Sequence, residues 1–314
     1  MSDHTVTLSD GRTLGYAEFG VDAGTPIFYC HGLPGSRLEA ALATDAARSL
    51  GLRIIAPDRP GFGRSTFHAR QGISNWARDL EQLADHLQVE RFNLLGVSGG
   101  GPYAVACAQY LSDRADQLAL VCPLGPLATV HATDGMSAAL ATTINWARRL
   151  RVLVNVYGVV LGTMGRHWPE FIINVYERQA SEADRAVLAE PRVRAVIAAS
   201  VQEAFRQGGR GPAQELALHL LPWDIDPVQV KVRVLLWQGE ADTTVPPVMG
   251  HWYAQRLPNC QLRSLPGEGH FSVPVRHMNS ILRTFACAPT QPARPSSRYA
   301  RQRPEADPPG NTTP

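Results

Sequence analysis

The segment NLLGVSGGGPYAVACAQY, Asn93 to Tyr110, sets one serine, Ser98, between an apolar run and an alanine-rich one. A serine hydroxyl attacks a carbonyl carbon only when a base removes its proton and a third group fixes that base's tautomer. Gly96, Val97, Ser98, Gly99 and Gly100 form a GxSxG match, which has a mechanical meaning when a strand precedes it and a helix follows. A sharp strand-to-helix turn strains the serine backbone and leaves no room for side chains two residues before and after it. Gly96 and Gly100 meet that demand. A helix starting near Gly99 would aim unpaired N–H groups and its positive dipole end at the place where an oxyanion develops.

A base is needed next. Of the ten histidines, His270 in LPGEGHFSV falls in a loop just after the last predicted strand, where the carboxyl ends of parallel strands gather ligand-binding loops. His251 and His277 lie in helical patterns and rank behind it. The acid that best fits is Asp242 in EADTTVP, which follows the strand VLLWQG one strand before His270. Glu240 stands closer to that strand and reads as a loop-fixing or solvent-facing residue, and Asp224 and Asp226 precede it. No carboxylate occurs from Leu118 to Ala128, so the earlier strand offers no acid.

The run PIFYCHG leads into HGLPGSR, a loop shaped by two glycines and a proline whose backbone can approach a substrate oxygen. Leu33 N–H and Gly99 N–H are the expected oxyanion donors. His31 reads as a residue that organises this loop through side-chain hydrogen bonds.

These residues must be held by a frame, and its pattern is legible. Residues 4–19 read as a hairpin turning at Ser9, Asp10 and Gly11. Short apolar runs then alternate with helical patterns: PIFYCHG before SRLEAALATDAARSLG, RIIAPDRPG before SNWARDLEQLADHLQV, and FNLLGVSG before GPYAVACAQYLSD. Such alternation predicts an α/β fold with a mostly parallel, doubly wound sheet, its strands apolar throughout because both faces are covered. After QLALVCPLG strand character disappears for about a hundred residues and resumes at VRVLLWQGEAD. WARRLRVLVNVYGVVL, EFIINVYERQ, EADRAVLAE and VRAVIAASVQEAFRQGG fill the gap with helical patterns. The expected division is a core of residues 1–127 and 231–287, a helical cap insertion over 128–230, and a Pro/Arg-rich disordered tail over 288–314.

Bulk composition narrows the function classes. The chain has 314 residues, 44% of them hydrophobic, and a formal net charge of +2, so neither nucleic acid nor an anionic membrane surface is an expected partner. The five cysteines are scattered without a CxxC pair, which argues against a disulfide framework and a zinc site. The start, MSDHTVTLSDGRTLG, lacks a basic region followed by an apolar stretch, and the expected location is the cytoplasm. RVLVNVYGVVLGTMG from Arg151 is too short for a membrane span. It reads as a buried or pocket-lining helix.

Taken together, HGLPGSR, DRPGFGRS from Asp58, GVSGGG, and GEAD followed by GEGHF resemble the α/β-hydrolase superfamily from about His4 to Ala286. The chain order Ser98, Asp242, His270 is the order of that superfamily. The resemblance implies nucleophile Ser98, base His270, acid Asp242, oxyanion donors Leu33 and Gly99, and a helical cap over the pocket. Serine at the turn separates the chain from haloalkane dehalogenases and epoxide hydrolases, which carry aspartate there. Gly99 departs from the bulky residue common in perhydrolase-like relatives, and GVSGGG departs from the GGSWGS of proline iminopeptidases. The expected activity is a serine hydrolase of the carboxylesterase type, forming an acyl-enzyme from an ester, thioester or lactone with an apolar part, without metal or organic cofactor. Two other readings stay open: a non-catalytic ligand receptor on the same fold, and a triad-dependent carbon–carbon bond hydrolase or lyase.

Overall fold

The computed structural model describes residues 2–69, 72–129 and 132–286. The tail expected over 288–314 lies outside the described residues. Strands β1 (Ser2–Thr7), β2 (Thr13–Gly20), β3 (Thr25–Cys30), β4 (Leu52–Pro57), β5 (Phe92–Val97), β6 (Ala115–Val121), β7 (Arg233–Gly239) and β8 (Cys260–Leu265) form one eight-stranded sheet, in the order β1-β2-β4-β3-β5-β6-β7-β8. β1 and β2 are the expected hairpin, and β2 also runs antiparallel to β4. Every other pairing is parallel.

Helices α1 (Thr44–Ser49), α2 (Asn75–His86) and α3 (Gly101–Tyr110) connect the first parallel strands. Among the described residues six α-helices stand between β6 and β7: α4 (Ala138–Arg149), α5 (Arg151–His167), α6 (Pro169–Glu177), α7 (Glu182–Leu188), α8 (Pro191–Ala204) and α9 (Arg210–His219). Then come α10 (Pro247–Ala254), α11 (Ser272–Arg276) and α12 (Met278–Ala286).

Successive strand residues point to opposite faces of a sheet, and the apolar runs are continuous because both faces are covered. Phe28, Ile55 and Leu94 pack with Trp76, Leu80 and Leu83 of α2, Val105 of α3 and Tyr253 of α10. Their chain neighbours Ile27, Ile54 and Leu95 pack on the other side with Ala47 of α1 and Ile281, Leu282 and Phe285 of α12. Every residue of β5 is buried.

The chain passes from β3 to β4 on one side, then crosses back so that β5 lies on the other side of β3. The crevice at such a reversal, beyond the carboxyl ends of the strands, is where open α/β sheets bind ligands. Leu33, just past β3, and Ser98, just past β5, both lie there.

Some elements differ from expectation. SRLEAALATDAARSLG is a 3-10 segment, Arg37–Ala43, followed by the short α1. Tertiary contacts account for this, because Arg37 is drawn inward by the buried Asp58, whose Oδ1 accepts from Arg37 N at 2.8 Å and whose Oδ2 accepts from Arg37 Nη1 at 2.6 Å. The helical stretch around WARRLRVLV breaks at Leu150, whose φ of −128° and ψ of 74° end α4 and start α5. Helix α9 carries only a weak apolar period and has no counterpart in the sequence reading. It exists through close packing: a Cβ at Gly158 of α5 would lie 2.4 Å from the Ala213 Cβ of α9. Among the described residues no helix is long and apolar enough to cross a membrane.

Candidate active site

The turn after β5 is built as the glycine spacing demands. Ser98 has φ of 51°, a left-handed conformation costly for a side-chain-bearing residue and characteristic of functional turns. A Cβ at Gly96 would lie 2.7 Å from the Ala104 Cβ, and one at Gly100 would lie 2.0 Å from the Cys30 carbonyl oxygen. Both positions therefore require glycine if α3 is to pack against β5 and β3.

The structure brings Ser98, His270 and Asp242 together. His270 Nε2 lies 3.0 Å from Ser98 Oγ, and His270 Nδ1 lies 2.8 Å from Asp242 Oδ2. An ionised carboxylate can only accept, so Nδ1 carries the proton and Nε2 is left to accept from the serine hydroxyl. Asp242 Oδ1 accepts from Thr244 N at 2.9 Å and Val245 N at 2.7 Å, which fixes the carboxylate in its loop. All three residues are buried. Burial alone disfavours an imidazolium, but the charge and hydrogen bond of Asp242 outweigh it, and Asp184 and Glu39 add to them. The His270 pKa is thereby held above its ordinary value. The thiol of Cys122, at the end of β6, lies within 4.8 Å of the ligand atoms of Asp242 and His270. Those two are already bonded to each other, and burial pushes the thiol pKa well up.

The rival residues fall elsewhere. Glu240 and His251 are exposed. Asp224 accepts from Ser74 Oγ at 2.5 Å, and Asp226 caps a 3-10 turn through Val228 N. His277 pairs with Glu268 at 3.2 Å. His31 has the organising place expected of it: Nδ1 meets Gly32 O at 2.9 Å, and Nε2 accepts from Arg59 N at 3.3 Å. Burial, with the neighbouring Arg59 charge, holds its pKa well below the usual range.

Leu33 and Ser98 border two adjoining pockets, the two arms of the site, and Gly99 borders one of them. The arms share Leu33, Pro34, Ser98, Tyr176 and Thr244. One extends among Leu42, Ile172, Ile173, Leu188 and Ile197, with Glu39 and Ser200 as polar elements. The other extends among Leu127, Leu140, Ile144, Leu161, Phe205 and Leu216. Helices α4 to α9 and the segments between them supply about half of the lining, and the core supplies the rest, including Tyr29, Val97, His270, Phe271 and Met278 beside Ser98. No lysine or arginine lines either arm among the described residues.

Several contributors were invisible to sequence reasoning. Glu39 accepts from Gly32 N at 3.1 Å (Oε2) and from Tyr29 OH at 2.8 Å (Oε1), tying down the residue before Leu33; burial raises its pKa. Arg59 donates to the carbonyls of His31 and Gly32 at 2.5 and 3.0 Å and pairs with Glu215 of α9 at 2.6 Å. Burial favours the neutral form of Glu215, but the Arg59 charge outweighs it and keeps the carboxyl below its ordinary pKa. Asp184 of α7 accepts from His270 N at 2.9 Å. No local signal in the chain announces partners so far apart.

Residues 25–276 match the family described as the alpha/beta hydrolase fold. The chain belongs to this family. Among relatives of this alpha/beta hydrolase, 2-hydroxy-6-oxo-2,4-heptadienoate hydrolase of Pseudomonas putida is 28% identical over 230 residues, covering 72% of this chain and 75% of that protein. The bifunctional esterase/perhydrolase DCH of Acinetobacter calcoaceticus is 26% identical over 277 residues, 84% of this chain and 92% of that one. An uncharacterized hydrolase, YcgS of Bacillus subtilis, is 36% identical over 116 residues, a match spanning 39% of its length. Among solved structures, the esterase EaEST of Exiguobacterium antarcticum superposes with a TM-score of 0.69 over 91% of this alpha/beta hydrolase and 100% of that chain. At 17% identity that likeness is one of fold.

Proposed function

We propose that this alpha/beta hydrolase is a serine hydrolase that cleaves a carboxylic ester, or a related thioester or lactone, through an acyl-enzyme. The observation that carries the reading is the buried chain of contacts Ser98 Oγ to His270 Nε2 and His270 Nδ1 to Asp242 Oδ2, at 3.0 and 2.8 Å. Ser98 Oγ attacks the acyl carbon while His270 Nε2 takes the hydroxyl proton, and Asp242 stabilises the imidazolium that forms. The tetrahedral oxyanion accepts from Leu33 N–H and Gly99 N–H. His270 then gives its proton to the leaving oxygen or sulfur, and a water activated by the same nitrogen releases the acid. Residues 1–127 and 231–287 act as the catalytic core, and residues 128–230 as a cap that shapes the pocket.

The substrate is read as a small, uncharged acyl compound with apolar groups on both sides of the scissile bond, since two largely aliphatic arms meet at Ser98. A second reading, carbon–carbon bond hydrolysis by the same triad, draws on the heptadienoate hydrolase relative. The name of that relative's substrate includes a carboxylate, whereas the described cavity walls of this chain hold no lysine or arginine and do hold Glu39. A neutral acyl substrate therefore fits better. The receptor reading is weakened by the hydrogen-bond contact between nucleophile and base. The four described cysteines are free thiols, which suits a reducing cytoplasm.

The test is a screen of purified protein on p-nitrophenyl esters of graded chain length, thioesters and lactones, with fluorophosphonate labelling of wild type and Ser98→Ala. The expected result is turnover of neutral apolar esters and loss of both turnover and labelling in the variant. Inactivity of the folded wild type on every acyl substrate, or labelling that survives in Ser98→Ala, overturns the reading.

A further inference from the structure

We propose that Asp184, on α7 of the helical insert, is a positioning residue that clamps the backbone turn carrying His270. Its Oδ2 accepts from His270 N at 2.9 Å, and its Oδ1 accepts from Phe271 N and Ser272 N at 2.8 Å each. Three successive backbone N–H groups thus converge on one carboxylate that is 1% exposed. Bonds from N–H donors to an ionised acceptor are the strong kind. The clamp has no slack on its other side, since a Cβ at Gly269 would lie 2.2 Å from Asp184 Oδ2 and 2.3 Å from Ser181 Oγ. Ser181 Oγ in turn accepts from Asp184 N at 3.1 Å, holding the start of α7 in register.

His270 needs such support because it lies in the loop beyond the end of β8 at Leu265. Within that loop, Gly269 N donates to Ser272 Oγ at 2.7 Å, a contact that folds the turn on itself without tying it to a second element. Ahead of that turn Glu268 O accepts from Ala241 N at 2.9 Å; from His270 to Ser272 it is Asp184 that ties the backbone to the helical insert. The consequence is that the insert which lines part of the substrate cavity also sets the distance from the imidazole to Ser98. A shift of about 1 Å in a reacting group can cost a factor of about 100 in rate.

The proposal rests on the serine-hydrolase reading, but one of its readouts does not. The groups facing His270 are Asp242 from the loop after β7, Glu39 from the 3-10 segment after β3, Cys122 at the end of β6, Ser98, and Asp184. Glu268, in the same loop, is engaged with His277 and Arg276. Asp184→Asn keeps the size, removes the charge and turns an amide N–H₂ toward one of the three donors. It is expected to lower kcat by about 10- to 100-fold with KM nearly unchanged. The acid limb of the pH profile is expected to move to lower pH. Asp184→Glu, which keeps the charge, is expected to leave that limb in place. The His270 imidazole titration followed by NMR, assigned against His270→Gln, reads the same shift without any substrate, so an inactive wild type would sink the functional reading and leave the clamp measurable. Wild-type kcat and an unmoved His270 titration in Asp184→Asn overturn the proposal. Equal loss of activity in the Asn and Glu variants, with a lowered Tm and an unmoved titration, also overturns it by showing a purely structural role.

Discussion

Gly99→Ala is the sharpest test of the oxyanion assignment, because it adds one methyl group and nothing else. Gly99 is not among the glycines with positive φ, so its backbone accepts alanine without strain. The added Cβ would lie 2.7 Å from the Leu33 Cβ and 3.1 Å from Leu33 N. Carbon atoms in ordinary contact sit about 3.5–4.0 Å apart, so the loop at Leu33 has to retreat by about 1 Å. A hydrogen bond of about 2.9 Å stretched that far is no longer one. Losing a single oxyanion donor typically lowers kcat by about 10²–10³, or about 2.7–4 kcal/mol of transition-state stabilisation. KM should hardly change, because the donor meets charge that develops only in the transition state. Steady-state kinetics on a p-nitrophenyl ester, with a thermal melt beside them, measure both effects. Gly11→Ala is a suitable control: it sits at φ of +83° in the β1–β2 turn with nothing within 4 Å, and is expected to lower stability by about 1 kcal/mol while leaving kcat alone. A folded Gly99→Ala enzyme with kcat within about threefold of wild type would show that Leu33 N–H is not an oxyanion donor.

The remaining expectations concern proton transfer, cap anchoring and pocket shape. His270 accepts a proton only when neutral and its pKa is raised above the ordinary 6.5, so kcat/KM is expected to fall as pH drops through a limb above 6.5; in Asp242→Asn the limb moves down and kcat falls by about 10⁴, and a limb that stays in place refutes the pairing. Glu215→Ala leaves the Arg59 guanidinium buried without its partner, for an expected loss of about 3–5 kcal/mol in urea unfolding; an unchanged midpoint contradicts the anchoring role. Leu140→Trp fills the arm bounded by Leu127 and Ile144 and is expected to cut the preference for long over short esters by about tenfold or more, whereas equal effects on both would place neither substrate end in that arm.

What one chain of letters could determine here was whatever depends on near neighbours. Gly96 and Gly100 announce the turn at Ser98 because only two missing side chains let a strand double back into a helix, and that steric demand spans five residues. The alternation of apolar runs with helical patterns announces the parallel sheet for the same reason, and the sheet in turn puts the loops after β3, β5, β7 and β8 at one edge, which is why Leu33, Ser98, Asp242 and His270 were expected to lie near one another. Packing and polar partnership between distant segments were decided only in three dimensions. Asp184 meets His270 across 86 positions and Glu215 meets Arg59 across 156, and neither carboxylate looks different in sequence from an ordinary solvated acid on a helix. The break at Leu150, the 3-10 course of Arg37–Ala43 and the existence of α9 were likewise set by what these segments touch. Local chain stiffness is written in adjacent residues, but the free energy of burying a charge depends on which distant group arrives to meet it.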